Sequence, residues 1–326
     1  MVAREVRGTP EQTIIPCDSF LPNAPDASGQ FVTRKFSNRA GARTYKLYVP
    51  SRRSAATMPL IVMLHGCTQS ADDFAVGTRM NRLAEQHGFS VAYPQQAVNA
   101  NGSKCWNWFR SLDQLRDSGE PSLIAGITRE IVANHPVDQS RIFVAGLSAG
   151  AAMAVILGET YPELYAAIGA HSGLPFGAAH DMPSAFAAMR GGRHATHDSS
   201  KPRAAVGSQK KAAQFVPTIV FHGDRDQTVS QSNGAEIIRQ AGNAFVAKAG
   251  EPGLPATTEI GHSPHGRGYR RTVHSDTTGR ALIESWMLDG AGHAWSGGDA
   301  SGSFTDPKGP DASVETVRFF LAQRAQ

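Results

Sequence analysis

The sequence predicts an α/β fold, with a mainly parallel central sheet flanked by helices on both faces. Two observations carry this prediction. Short apolar runs typical of buried strands alternate along the chain with stretches of helical periodicity. One apolar run, residues 142–145, leads through a glycine-containing turn directly into a small-residue, helix-compatible stretch at 151–157. The 326 residues, 40% of them hydrophobic, suffice for one sizeable domain.

The first elements are expected to form a hairpin. Residues 31–36 and 44–49 alternate around a turn at 38–41 that contains a glycine. Buried strands are predicted at 60–64, 89–93, 142–145, 166–170 and 218–221. Helices are predicted at 76–87, 123–134, 151–157, 235–240 and 311–321. A second hairpin is predicted from strands at 269–274 and 281–288.

Three segments depart from this alternation. Residues 1–28 are rich in Pro, Asp, Ser and Asn, and we expect an irregular extension ahead of a catalytic domain that spans 29–326. Residues 176–215, rich in Gly, Ala, His and Ser, are expected to form a cap or lid. Residues 243–266, rich in Gly and Pro, are expected to be a long loop.

Composition excludes several classes of protein. The net charge of +4 and pI of about 9.0 come without a dense Lys/Arg run, so nucleic acid is not an expected partner. No apolar run is long enough for a transmembrane helix, and oligomeric state stays open. The first seven residues contain no apolar signal region, which leaves a cytoplasmic protein or a trimmed secreted form. No metal-site spacing is present and no cofactor is expected.

The most informative motif is the G-x-S-x-G pentapeptide from Gly146 to Gly150. Its place between a predicted strand and a predicted helix is typical of the nucleophile elbow of α/β-hydrolases. The two glycines allow a sharp turn and close packing of strand and helix. Ser148 is therefore the predicted nucleophile.

A serine hydroxyl needs a base to take its proton and a carboxylate to orient that base. In α/β-hydrolases the acid and then the histidine follow the serine in the chain. Asp226, after the strand at 218–221, is the predicted acid; its neighbour Asp224 is expected to shape the turn or pair with Arg225. His293, in a glycine-rich loop after 281–288, is the predicted base. His171, the main rival, precedes the acid and is expected to be structural.

The oxyanion needs backbone N–H donors. Ala149, directly after the nucleophile, is expected to supply one, and Cys67, in the loop after the strand at 60–64, the other. Cys105 follows the next strand, which the fold makes a neighbour, so Cys67 and Cys105 form either a disulfide beside the active site or two unpaired thiols. Cys17 is left over.

Aromatic residues follow the ends of the predicted strands. Trp106 and Trp108 lie just beyond the second buried strand, and Trp295 lies two residues after His293. Because ligands bind at the carboxyl ends of parallel strands, we predict that Trp106 and Trp108, with the adjacent Phe109, line a substrate groove, with a core role as the alternative. Trp295 is also predicted to bind substrate.

The motifs together resemble the polyhydroxybutyrate depolymerase family of esterases, with feruloyl and acetylxylan esterases as relatives. The resemblance runs from about residue 30 to the C-terminus and rests on five segments: 65–69, 105–108, 146–150, 222–226 and 292–295. It implies an α/β-hydrolase that cleaves short-chain hydroxyalkanoate esters, in polymer or oligomers, through an acyl-serine intermediate. Secreted members carry a signal peptide and a separate polymer-binding domain, which this chain does not show.

Three alternatives remain at this point. In the first, the same chemistry removes feruloyl or acetyl groups from plant polysaccharides. In the second, an alcohol takes the acyl group from the serine in place of water, so that the protein is an acyltransferase. A non-catalytic binding protein on the same fold usually lacks a member of the triad, whereas all three residue types are present here.

Overall fold

The computed structural model describes residues 29–51, 57–191, 214–250 and 253–325. Its strands are β1 Gln30–Asn38, β2 Gly41–Val49, β3 Met58–Leu64, β4 Ser90–Pro94, β5 Val137–Leu147, β6 Ala167–His171, β7 Thr218–Gly223, β8 Ala256–His262, β9 Gly268–Ser275, β10 Ala281–Leu288, β11 Trp295–Ser296 and β12 Thr305–Asp306. Its α-helices are α1 Ala71–Thr78, α2 Met80–His87, α3 Gly119–Asn134, α4 Ala149–Thr160, α5 Met182–Met189, α6 Ser232–Ala249 and α7 Ala312–Leu321. A single 3₁₀ turn spans Ser111–Gln114.

Ten strands form one sheet in the order β1-β2-β4-β3-β5-β6-β7-β10-β9-β8. The six strands from β4 to β10 in this order pair in parallel, and an antiparallel pair flanks them at each edge. The carboxyl ends of the parallel strands meet at one edge of the sheet, where an open α/β sheet places its ligand site. The predicted α/β fold is confirmed.

The core lies on both faces of this sheet. Along β3, Leu60, Val62 and Leu64 pack on one face with α3 and α4, while Ile61 and Met63 pack on the other with α1, α2 and α7. A strand buried on both faces has to be apolar at every position, which explains its continuous hydrophobic run. Each such side chain contributes about 1.5–3 kcal/mol by leaving water.

Both predicted hairpins are confirmed, as β1–β2 and β9–β10. The predicted helix at 76–87 is wrong in detail, because α1 begins at Ala71 and Arg79 separates it from α2. Arg79 has a positive φ of 53°, and its guanidinium donates to the Gly297 carbonyl at 2.5 Å and to Asp311 at 2.6 Å. These long-range bonds stabilise a backbone conformation that local sequence disfavours.

The long loop expected at 243–266 is also wrong. Helix α6 continues to Ala249 and ends at Gly250, whose N–H donates to the Val246 carbonyl from a left-handed conformation. Strand β8 then pairs with β9 at the edge of the sheet. Strand β8 is largely exposed, so its sequence carries no apolar alternation from which a strand could be predicted.

The expected extension at 1–28 lies outside the described residues, as does 192–213 of the expected lid. The described part of the lid segment contains α5, capped by Asp181, whose carboxylate accepts the Ser184 N–H. In the described part of the chain, no helix has the length and apolarity needed to cross a membrane.

Candidate active site

Ser148 lies between the end of β5 and the start of α4, with φ 58° and ψ −120°. A non-glycine residue in this region stores about 1–3 kcal/mol of strain, which the surrounding structure has to offset. The Ser148 N–H donates to the His171 carbonyl at 2.9 Å, and its own carbonyl accepts the Ala152 N–H at 3.0 Å. The elbow predicted from the sequence is therefore present and anchored at both sides.

The glycines of the motif are required by close backbone contacts. A Cβ on Gly150 would overlap the carbonyl oxygens of Leu64 and His65, and one on Gly146 would overlap the backbone of Gly150. Strand β5, helix α4 and the end of β3 thus pack too closely for any side chain at these two positions. This packing brings the loop after β3 against the elbow.

His293 and Asp226 form a hydrogen-bonded pair. Nδ1–H of His293 donates to Oδ2 of Asp226 at 2.8 Å, and the N–H groups of Thr228 and Val229 donate to Oδ1 at 2.9 Å each. The carboxylate is fully buried, while the imidazole is 12% exposed. Burial by itself raises the pKa of Asp226, but the bond and charge of His293, with the Val229 N–H, hold that pKa at about 2. Asp226 is therefore ionised beside the imidazole at neutral pH.

Asp224, the other carboxylate of this loop, has a different role. Its Oδ1 accepts the Gly290 N–H at 2.6 Å, and its own N–H donates to the Leu288 carbonyl at 3.1 Å. Asp224 thus ties the loop after β7 to the loop after β10. This agrees with the expectation that Asp224 shapes the turn.

His171, the rival histidine, lies at the end of β6 and is fully buried. Its Nε2 accepts the Ser296 N–H at 3.1 Å, and its ring stacks on Phe221 and Trp295. Burial first, and then the nearby charges of His222 and His293, lower the pKa of His171 to about 3. The imidazole is neutral and already hydrogen-bonded, as expected for a structural histidine. Its contact with the loop that carries His293 was not predicted from the sequence.

The loop after β3 lies against the nucleophile. A Cβ placed on Gly66 would lie 3.6 Å from that of Ser148. His65 fixes this loop, because its Nδ1–H donates to the Gly66 carbonyl at 2.7 Å and its Nε2 accepts the Gln96 N–H at 3.1 Å. Gln69 accepts the Gly66 N–H at 2.8 Å. Neither the Cys67 N–H nor the Ala149 N–H has an acceptor among the described residues.

Cys67 and Cys105 form a disulfide, with their Cα atoms 4.2 Å apart. Of the two alternatives left by the sequence, the structure has the bridged one. The Thr68 N–H also donates to the Ser103 carbonyl at 2.7 Å. The loops after β3 and β4 are thus joined covalently and by hydrogen bonds beside Ser148.

The prediction that Trp106 and Trp108 line a substrate groove is wrong, as is the prediction that Trp295 binds substrate. Trp106 is inaccessible and donates its indole N–H to the His65 carbonyl at 3.1 Å. Trp295 is 2% exposed and donates to Ser313 at 3.0 Å, and Trp108 packs edge-on against Phe109 in the core. Their apolar rings stabilise the loops behind the site, because the surrounding elements cover nearly all of their surface.

A cleft of about 890 Å³ lies beside the loop after β4. Its walls are both polar and apolar, and include Asn107, Phe109, Leu112, Glu120 and Met182. Leu112 and Met182 are large apolar side chains that stay 67% and 49% exposed. Neither side chain belongs to a periodic pattern, because one lies in a short turn and the other at a helix start. Ser148, Asp226 and His293 do not line this cleft.

A strained serine elbow after a parallel strand, with an Asp–His pair on the loops after β7 and β10, defines an α/β-hydrolase. Residues 43–256 match the family described as Esterase PHB depolymerase. Poly(3-hydroxyalkanoate) depolymerase C of Paucimonas lemoignei is 31% identical over 301 residues, which cover 90% of this chain and 70% of that protein. The chain belongs to the Esterase PHB depolymerase family and is a carboxylic ester hydrolase.

Two further similarities agree with this family. Feruloyl esterase B of Neurospora crassa is 29% identical over 284 residues, covering 82% of this chain and 88% of that protein. The solved acetyl xylan esterase of Aspergillus awamori superposes with a TM-score of 0.66 at 20% identity, covering 90% of this chain and 99% of that chain. The superposition supports the fold.

Proposed function

We propose that this protein hydrolyses short-chain hydroxyalkanoate polyesters or their oligomers through an acyl-serine intermediate. The observation that carries the proposal is the Asp226–His293 bond of 2.8 Å, on a loop that His171 ties to the Ser148 elbow. The similarity to a poly(3-hydroxyalkanoate) depolymerase over 90% of the chain supports the substrate class.

In the proposed reaction the hydroxyl of Ser148 attacks the ester carbonyl. Nε2 of His293 takes the hydroxyl proton and passes it to the leaving alkoxide, so that an alcohol departs and an acyl-serine forms. Asp226 keeps the proton on Nδ1 and stabilises the imidazolium. Water then attacks the acyl-serine, with His293 again as base, and releases the acid.

The N–H groups of Cys67 and Ala149 are the proposed oxyanion donors. Neither has an acceptor among the described residues, so both are available to a developing negative charge. Loss of one such donor in other hydrolases costs about 10²–10³ in rate. The disulfide, together with His65 and Gln69, holds the first donor in place before substrate binds.

The test is release of soluble 3-hydroxybutyrate from amorphous poly(3-hydroxybutyrate) by the intact protein and by Ser148→Ala. Ser232→Ala, at an exposed helix start, is the matched control and should retain full release. Release by the intact protein and the control alone would support the proposal. Folded protein that releases nothing here, but cleaves methyl ferulate or acetylated xylan, would replace the polyester with a plant polysaccharide ester.

A further inference from the structure

Glu120, at the start of α3, has a carboxylate with four hydrogen-bond donors around it. Oε1 accepts from the guanidinium of Arg43 at 3.0 Å, from Nδ2 of Asn107 at 2.7 Å and from Nε2 of Gln96. Oε2 accepts the Asn107 N–H at 2.7 Å. The side chain is 4% exposed, and Arg43 is its ion-pair partner. A buried charge with this many donors fixes the positions of all the groups that donate to it.

One of these donors, Gln96, connects Glu120 to the loop after β3. Gln96 also donates from Nε2 to the Cys105 carbonyl at 2.8 Å, and its backbone N–H donates to His65 at 3.1 Å. Cys105 is bonded to Cys67, whose N–H is the first proposed oxyanion donor. A continuous set of bonds therefore runs from Glu120 through Gln96 to both sides of the oxyanion loop.

Asn107 holds the other end of the segment that contains Cys105. It donates its N–H and its Nδ2 to Glu120 and accepts the side-chain amide of Asn101 at 3.0 Å. The neighbouring Trp106 donates to the His65 carbonyl at 3.1 Å. Glu120 thus fixes the segment on both sides of the disulfide cysteine, through Gln96 before it and Asn107 after it.

We propose that Glu120 is a positioning residue for the oxyanion hole, acting through Gln96, Asn107 and the Cys67–Cys105 disulfide. The inference rests on the proposed function, because it assumes that the Cys67 N–H stabilises the oxyanion. Glu120 touches no substrate in this scheme. It sets the direction of a backbone N–H that matters only when negative charge develops on the carbonyl oxygen.

Glu120→Gln is the informative variant, since it keeps the shape but removes the charge and places an amide NH₂ among donors. A donor that acts only in the transition state changes kcat and leaves KM nearly unchanged. We expect kcat for p-nitrophenyl butyrate to fall about tenfold or more. Affinity for butylboronic acid, whose boron bonds to Ser148 Oγ to give a tetrahedral adduct, should fall by a similar factor.

Glu284→Gln is the matched control. Glu284 is equally buried and paired with arginines, Arg271 at 2.9 Å and Arg318 at 2.5 Å. These arginines and Trp286, which also donates to Glu284, lie outside the oxyanion loop. This control should lower the melting temperature while kcat and boronate affinity stay at wild-type values. If Glu120→Gln behaves like Glu284→Gln, with lower stability alone, the inference is overturned.

Gln96→Met provides a second variant should Glu120→Gln fail to fold. It leaves the Glu120–Arg43 ion pair intact and removes the side-chain bonds of Gln96 to Cys105, to Glu120 and to the Ala97 N–H. The same fall in kcat at constant KM is expected, and unchanged kcat would overturn the inference. Because p-nitrophenyl butyrate is a general ester, it tests the active site independently of polyester. A wild-type protein that cleaves this ester but not polyester would overturn only the proposed polyester substrate and leave the inference about Glu120 to be decided by the variants. A wild type that cleaves no ester overturns both.

Discussion

The ring of His171 and the backbone of Ser296 are joined by a hydrogen bond, in which the Ser296 N–H donates to Nε2 at 3.1 Å. The carbonyl of the same histidine accepts the Ser148 N–H at 2.9 Å. His171 therefore holds the serine elbow with its backbone and holds the loop three residues beyond His293 with its ring. Ser148 and His293, which are 145 positions apart in sequence, therefore lie on segments that one buried residue holds.

His171→Phe should keep the stacked ring between Phe221 and Trp295 but leave the buried Ser296 N–H without an acceptor. An unpaired buried donor costs about 1–3 kcal/mol, so the melting temperature should fall. We expect kcat to fall with little change in KM, because the loop that carries His293 is no longer fixed. Phe221→Leu, which loses stacking but keeps the hydrogen bond, is the control. Wild-type kcat in His171→Phe would contradict this role.

Asp226→Asn and Asp224→Asn separate the two carboxylates of one loop. Asparagine at 226 turns an NH₂ toward His293 or forces the other tautomer, and kcat should fall by about 10³–10⁴. Asparagine at 224 keeps the oxygen that accepts the Gly290 N–H, so activity should stay close to wild type. Steady-state kinetics on a p-nitrophenyl ester decide the matter. An equal loss in both variants would refute the assignment of Asp226 as the acid.

Gly150→Ala tests the close packing behind the elbow. Its Cβ would overlap the backbone carbonyls of Leu64 and His65, which cannot move without shifting β3. We expect destabilisation at or above the upper end of the ~1–3 kcal/mol typical of overpacking. Gly242→Ala, in α6 with no atom near its Cβ, should instead stabilise by about 0.5–1 kcal/mol. Urea unfolding of the two variants should show opposite signs; the same sign in both would contradict the packing argument.

Acid should destabilise the protein through its buried histidines. Burial lowers the pKa of His171 to about 3 and that of His65 to about 4, although the Gly66 carbonyl raises the latter. As pH falls below about 6.5, these two histidines become protonated in the unfolded chain but stay neutral in the folded protein. Stability present above this pH is therefore lost as pH falls toward 4, at about 1.4 kcal/mol per pH unit for each proton.

Asp113 opposes this loss. Burial and the nearby charge of Glu120 raise the pKa of Asp113 to about 6, although the Glu120 N–H lowers it. Between about pH 6 and 4 the folded carboxyl is protonated while the unfolded one is ionised, so this group favours folding as pH falls. In Asp113→Asn the unfolding free energy should therefore fall more steeply as pH decreases through this range. The added slope corresponds to about one bound proton, or about 1.4 kcal/mol per pH unit. Urea midpoints from pH 7 to 4.5 provide the measurement, and an unchanged slope would show that Asp113 titrates normally.

Much of the site could be predicted because its residues lie where a local pattern changes. Ser148 lies where a continuous apolar run meets a G-x-S-x-G turn. Asp226 and His293 each follow a strand that its apolar residues predict. The strands buried on both faces were found for the same reason, since they have to be apolar throughout. Strand β8 and the far half of α6 were missed, because exposed elements need no apolar periodicity.

The sequence by itself determined the fold class, the elbow and the order of nucleophile, acid and base, because strands, turns and their end residues are local features. Only the tertiary structure decided that Trp106 and Trp295 are core side chains and that Cys67 and Cys105 are bridged. It also placed His171 and Glu120 behind the site, through bonds that span between 13 and 125 positions. Burial and pairing of this kind depend on which distant segments pack together, and no local pattern records that.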